Sequence, residues 1–93
     1  MKVTNMTSNR GNKIANQFIV FTPEATYFQS YNSVIVKTVN GDNREVYLDE
    51  TYWNYSRTTS KYRSRFLGES TKETERKIKA GIYKLADLQS ELN

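Results

Sequence analysis

The chain predicts an α+β fold, with a four- to five-stranded antiparallel β-sheet (a meander) followed by two short helices packed on one face. Three observations carry this. Between residues 17 and 49, β-branched and aromatic runs of strand length alternate with turn residues. From residue 56 onward the apolar spacing changes to three and four. The connections between the strand-like runs are short, which favours consecutive strands pairing as neighbours.

Residues 1–15 are polar and show no period, so residues 1–13 are expected to be a flexible N-terminal arm, with a single α+β domain spanning 14–93. The first strand is expected at 17–22, QFIVFT, apolar on both faces and so internal to the sheet. Pro23 and Glu24 make the turn, since a proline there cannot donate to a ladder. The second strand, 25–31, alternates between two faces, and Asn32 sits at a tight turn. The third, Ser33–Val39, is β-branched almost throughout. Asn40-Gly41-Asp42-Asn43 is the strongest turn signal in the chain, because Asn and Gly tolerate positive φ. The fourth strand, 44–49, returns from it.

A first helix is expected from Ser56 or Thr59 to Gly68, with Tyr62 and Phe66 four apart on one face. Ser70 or Thr71 caps a second helix, with Ser70 and Glu73 at capping-box spacing. Glu73–Lys77 and Glu75–Lys79 are spaced as ion pairs along it, and Gly81 stops it. Residues 82–88, IYKLADL, are expected as a fifth strand or an extended tail lying on the sheet.

The residue inventory limits function. Ninety-three residues make one domain with a small core. There is no cysteine, which excludes thiol chemistry, and no histidine, the commonest general base and metal ligand. No nucleotide-binding glycine loop, calcium loop or cofactor motif is present, so a non-enzymatic protein without a cofactor is expected. Asp49-Glu50 is an adjacent acid pair that would suit a cation, or is simply solvated. The N-terminus lacks the apolar core of a signal peptide, and no run approaches the length of a membrane span.

Charge is unevenly placed. The formal net charge is +4, yet residues 1–50 sum to zero and residues 51–84 to +6. That asymmetry points to an anionic partner, most often nucleic acid. The basic residues concentrate in residues 53–68, WNYSRTTSKYRSRFLG, which contain no acid. Arg57, Lys61 and Arg65 fall at i, i+4 and i+8. Their mutual repulsion costs an isolated helix a few tenths of a kcal/mol per pair, which local stability does not explain and phosphate binding would. The alternative is a solvated face neutralised in space by Asp49, Glu50 or Glu69. Exposed tyrosines beside such cations suit the stacking of unpaired bases. The candidate partner-binding or nucleic-acid-binding set is therefore Arg57, Lys61, Arg63, Arg65, Tyr55, Tyr62, Lys72 and Arg76, with Trp53 and Phe66 read as core.

Three segments, NQFIVFTPEATYFQSYNSVIVKT, LDETYWNYSRTTSKYRSRFLGES and ETERKIKAGIYKLADL, together resemble a family of small uncharacterised proteins carried by phages, plasmids and integrated elements of Gram-positive bacteria. The resemblance spans about residues 14–88. It is most specific at Phe28-Gln29-Ser30-Tyr31-Asn32-Ser33, at Trp53-Asn54-Tyr55-Ser56 with Thr58-Thr59, and at Lys61-Tyr62-Arg63 followed by Phe66-Leu67-Gly68-Glu69. It implies an accessory or counter-defence role in the host bacterial cytoplasm. In size and style the chain is similar to inhibitors of type II-A CRISPR nucleases, which would make its partner the nuclease protein, its guide RNA, or both. The basic charge is unlike that of acidic DNA mimics and favours guide RNA or an acidic protein surface, so that loading of the guide would be obstructed. A single-stranded nucleic-acid-binding accessory protein of the mobile element is the other reading.

Overall fold

The computed structural model describes residues 1–92. Its strands are β1 (Lys2–Thr7), β2 (Lys13–Phe21), β3 (Ala25–Ser30), β4 (Ser33–Val39) and β5 (Val46–Asp49). Helices α1 (Arg57–Leu67) and α2 (Thr71–Lys79) follow, and strand β6 (Tyr83–Ala86) comes last. The sheet runs β1-β2-β3-β4-β5-β6 in space. Every neighbouring pair is antiparallel except β5 and β6, which are parallel. A parallel pair needs a crossover connection, and the two helices supply it.

The N-terminal segment is the main departure from expectation: residues 2–7 are an edge strand. Its two apolar residues, Val3 and Met6, are three apart, so they fall on opposite faces and leave no repeat of two along the strand. The register with β2 also shifts between Asn5 and Thr7, where the partner moves from Phe18 to Lys13. Asn5 spans the irregularity by donating through Nδ2 to the carbonyls of Met6 (2.8 Å) and Ile14 (2.7 Å), while Met6 turns into the core. A loop closed by Ser8 then reverses the chain. Ser8 accepts the Asn12 amide on its hydroxyl, and Gly11 adopts φ 82°.

β2 begins at Lys13, earlier than its apolar run, and Lys13 pairs with Thr7 of β1 beyond the register shift. The β3–β4 turn places the left-handed conformation at Tyr31 (φ 56°). In β4 a second bulge inserts Ile35 opposite the Phe28–Gln29 step, so Ile35 and Val36 both reach the helix-side core while Val34 faces the other way. β5 starts at Val46, two residues later than expected. Asn40 leaves the ladder to bond the β2–β3 turn, its amide donating to Glu24 O (2.8 Å) and its side chain to Thr22 O and Pro23 O.

Both helices lie on one face. Phe28, Val36, Leu48 and Met6 form the floor there, and Tyr62, Phe66, Leu67 and Ile78 pack onto it. The Phe28 and Phe66 rings stack with centroids 5.8 Å apart. Ser56 caps α1 by accepting the Thr59 amide, and Gly68 ends it at φ 71°. Ser70 caps α2 in the same way through the Glu73 amide. The opposite face carries Val20, Ala25, Tyr27 and Val34, covered by the segment after β6 through Leu88. Gln89 holds that segment down, its side-chain amide donating to Val34 O (2.8 Å) and accepting from Val34 N (3.1 Å). Residues 82–88 are thus both a strand and a sheet-covering tail.

Candidate functional site

Helix α1 divides its cations between two faces. Thr59, Tyr62, Arg63 and Phe66 follow the i, i+3, i+4, i+7 pattern of an inward stripe, and Arg57, Lys61 and Arg65 lie outside it. Arg57, Lys61 and Arg65 are exposed, as are Lys72 and Arg76 on α2 and Tyr55 ahead of α1.

Arg63 corrects the sequence-based site. It is 0% exposed and serves the fold instead of a partner. One guanidinium nitrogen donates to Trp53 O (2.6 Å) and Asn54 Oδ1 (3.0 Å), the other to Thr71 Oγ1 (2.6 Å), so a single side chain ties the loop before α1 to the start of α2. Its planar fork lies over the Trp53 indole. Burial lowers its pKa, and the charge of Glu69 works against that fall. Tyr62 is a second correction in part. It packs against the helix-side core, leaving only part of its surface for a partner, with the Lys61 ammonium 5.3 Å from its ring centroid.

The remaining cations differ in their acidic partners. On α2, Arg76 pairs with Glu73 (2.5 Å) and Lys79 with Glu75 (3.2 Å). Lys77 reaches back to Glu69 (2.8 Å), where the spacing had suggested Glu73. Arg76 is therefore locally neutralised, which takes it out of the strongest part of the candidate set. Among the described residues, Arg57, Lys61, Arg65 and Lys72 form no ion pair. Arg65 does have a structural bond, donating to Thr7 O of β1 at 2.6 Å.

Two of the acids that could have neutralised α1 are occupied elsewhere. Asp49 is 1% exposed and accepts three backbone amides, Leu88 on Oδ1 (2.9 Å) and Thr51 and Tyr52 on Oδ2 (3.0 and 2.8 Å). Burial pushes its carboxyl up, but those amides, with the Gln89 side chain, hold it below its ordinary value. A carboxylate so committed has little left for a metal ion. Glu69 accepts from Lys77 Nζ, Tyr83 Oη and Thr74 Oγ1, which outweigh its burial and keep it below the ordinary range. It joins α2 to β6 and does not face the stripe. No group of three or more potential metal-ligating side chains occurs among the described residues.

What the site offers is a convex basic helix face. Arg57 and Lys61 project from it, Lys72 is exposed on the neighbouring helix, and Tyr55 is 47% exposed at the N-terminal end with its ring edge against Tyr52 (5.2 Å). In comparison with known protein families, a model described as a family of unknown function (DUF8033) fits residues 1–81. The chain belongs to this family. The matched stretch runs from the first residue to Gly81, so it takes in β1 and both helices and stops ahead of β6. No curated protein and no solved structure matches the chain. Among the described residues, no helix is long and apolar enough to cross a membrane.

Proposed function

We propose that the protein acts by binding, without chemistry of its own, and that the outer face of α1 docks an anionic partner. The observation that carries this reading is the contrast between the two helices. Three of the four α2 cations, Arg76, Lys77 and Lys79, each have a glutamate, whereas among the described residues Arg57 and Lys61 pair with no acid, and Asp49 and Glu69 are engaged by other groups. Like charges repeated along one helix face are retained against a local electrostatic cost. A phosphate backbone or an acidic protein surface offsets that cost.

Combined with the resemblance to proteins of phages and mobile elements, this surface supports a counter-defence role in the host cytoplasm. The protein is then a non-enzymatic inhibitor of a type II-A CRISPR nuclease, contacting the guide RNA or an acidic patch of the nuclease and blocking assembly or activity of the complex. The test is DNA cleavage by purified nuclease, with the protein added before or after the guide. Inhibition that is strong before loading and weak after it is the expected result. Absence of inhibition in either order across several type II-A nucleases overturns the reading.

The exposure of Tyr55 beside Arg57 favours a second reading, direct binding of single-stranded nucleic acid with a base on the tyrosine ring. Affinity for bare oligonucleotides that falls steeply with salt would select it. No binding at low salt removes it.

A further inference from the structure

The helix-bearing face of the sheet is only partly covered. One cross-strand row, Phe21–Thr26–Thr38–Val46–Tyr83, runs in register over β2 to β6. The next row, through Phe28, lies beneath Phe66 of α1. Between the first row and the C-terminal end of α1 is an open groove of about 730 Å³. That size lies within the range of ligand sites. Phe21, 42% exposed, forms part of its floor, and Phe66 and Leu67 form its wall.

Two cations border this apolar strip, and among the described residues no acidic side chain lines it. Arg44 comes from the loop after β4 and makes no ion pair among the described residues. Arg65 comes from α1, its bond to Thr7 O orienting the guanidinium. The chain's own following segment cannot fill the groove, because Leu88 and Gln89 seat it on the opposite face.

We propose that this groove receives an extended peptide segment of a protein partner, one that carries apolar side chains and carboxylates together. The apolar side chains lie over Phe21, Val46 and the threonine methyls, and the carboxylates meet Arg44 and Arg65. The floor favours a peptide over nucleic acid. It is aliphatic and threonine-rich with one exposed ring, whereas Phe66 is stacked on Phe28 and the Tyr83 hydroxyl is held by Glu69. Bases need free ring faces. The groove is separate from the outer face of α1, and only Arg65 belongs to both.

The experiment is an NMR titration of the full ¹⁵N-labelled chain with a short capped peptide alternating Glu and Leu. A Lys–Leu peptide, a Glu–Ser peptide and oligouridine serve as comparisons. The Glu–Leu peptide is expected to shift the amides of Phe21, Thr26, Thr38 and Val46 and to leave Val34 and Gln89 unmoved. Arg44→Glu, at an exposed loop position, should weaken it by about tenfold or more. Arg57→Glu with Lys61→Glu should leave it unchanged, which separates this groove from the proposed role of α1. The inference is overturned if the Glu–Leu peptide shifts no groove amide at millimolar concentration, if Lys–Leu or Glu–Ser binds as well, or if Arg44→Glu has no effect. Oligouridine occupying the groove overturns it too, as do groove shifts that depend on protein concentration alone, which would mean a second copy is the occupant.

Discussion

The guanidinium of Arg63 lies 5.1 Å from the centroid of the Trp53 ring and donates to the carbonyl of that same tryptophan. Arg63 thus holds both ends of Trp53, and through Thr71 it holds the start of α2 as well. Replacing Arg63 with Leu leaves the Trp53 carbonyl without its donor and frees α2 from the loop. A loss of about 3 kcal/mol in urea-unfolding stability is expected. Arg63→Lys should recover little, because one ammonium cannot span acceptors on both sides. Wild-type stability in the lysine variant would show that charge alone, and not the fork, is what the site requires.

The acid side of the stability profile should follow three carboxylates. Asp49 and Glu69 are held low against their burial by hydrogen bonds, and Glu91 by its bond to Lys37 with smaller help from Tyr27. Each binds a proton less readily folded than unfolded, so its contribution is complete above its ordinary value of 3.8 for Asp or 4.5 for Glu. It is lost as pH falls through the lower folded value. Chemical denaturation at a series of pH values should show stability flat near neutrality and falling below about pH 4.5. Asp49→Asn should be less stable at neutral pH by about 2 kcal/mol, since charge-assisted bonds are replaced by neutral ones. Its decline in acid should be shallower. An unchanged acid slope in this variant would remove Asp49 from the account.

For the outer face of α1, the double variant Arg57→Glu, Lys61→Glu should melt like wild type and lose inhibition or oligonucleotide binding. Arg65 is left in place because its bond to Thr7 would mix stability with binding. If phosphates are the target, the salt slope of the wild-type protein should also be reduced by about 1.4 in the variant, at ~0.7 for each single-strand phosphate that is no longer neutralised. Full activity in a folded double variant would move the function off this helix.

Leu88→Ala tests whether the tail is structural. Leu88 is fully enclosed between Val20, Ala25, Tyr27 and Val34, and its removal should cost about 2–4 kcal/mol. Amide exchange should quicken at Val34, where the hold of Gln89 weakens. Exchange unchanged there would mean that Gln89 docks without Leu88.

Gln17 is buried on β2, and neither end of its amide finds a hydrogen-bonding partner among the described residues. Gln17→Met keeps the approximate shape without the polar atoms, so thermal denaturation should show a gain of about 1 kcal/mol. A loss would assign the amide a role in positioning the neighbouring Ser30–Thr59 pair, which is bonded at 2.9 Å.

The middle of the sheet and the helix ends were legible where local signals and tertiary packing agree. Ser33–Val39 and the Gly68 stop are cases of this kind, while the sequence left the helix starts between Ser56 and Thr59 and between Ser70 and Thr71, and the structure places the caps at Ser56 and Ser70. β1 was not legible: Val3 and Met6 set up no repeat of two, and its pairing depends on a partner six or more residues away. Arg63 was misread because a basic residue is rarely buried, yet its place in the Thr59–Tyr62–Arg63–Phe66 stripe was an available sign that it faces inward. The groove had no signature at all. Its floor is a row drawn from five strands, and no linear stretch carries it.

The parallel closure by β6 has a consequence for how the chain folds as it is made. The β1–β5 meander can form from pairings between sequence neighbours, whereas β6 cannot dock until both helices have been synthesised and folded back. Asp49 must wait 39 residues for the Leu88 amide. At about 5–20 residues per second, a nascent meander spends some seconds with its open edge at β5 and a carboxylate lacking its most distant donor. That interval is when a chaperone or a like strand has its best opportunity to pair with this molecule, and emergence of residue 88 from the ribosome ends it.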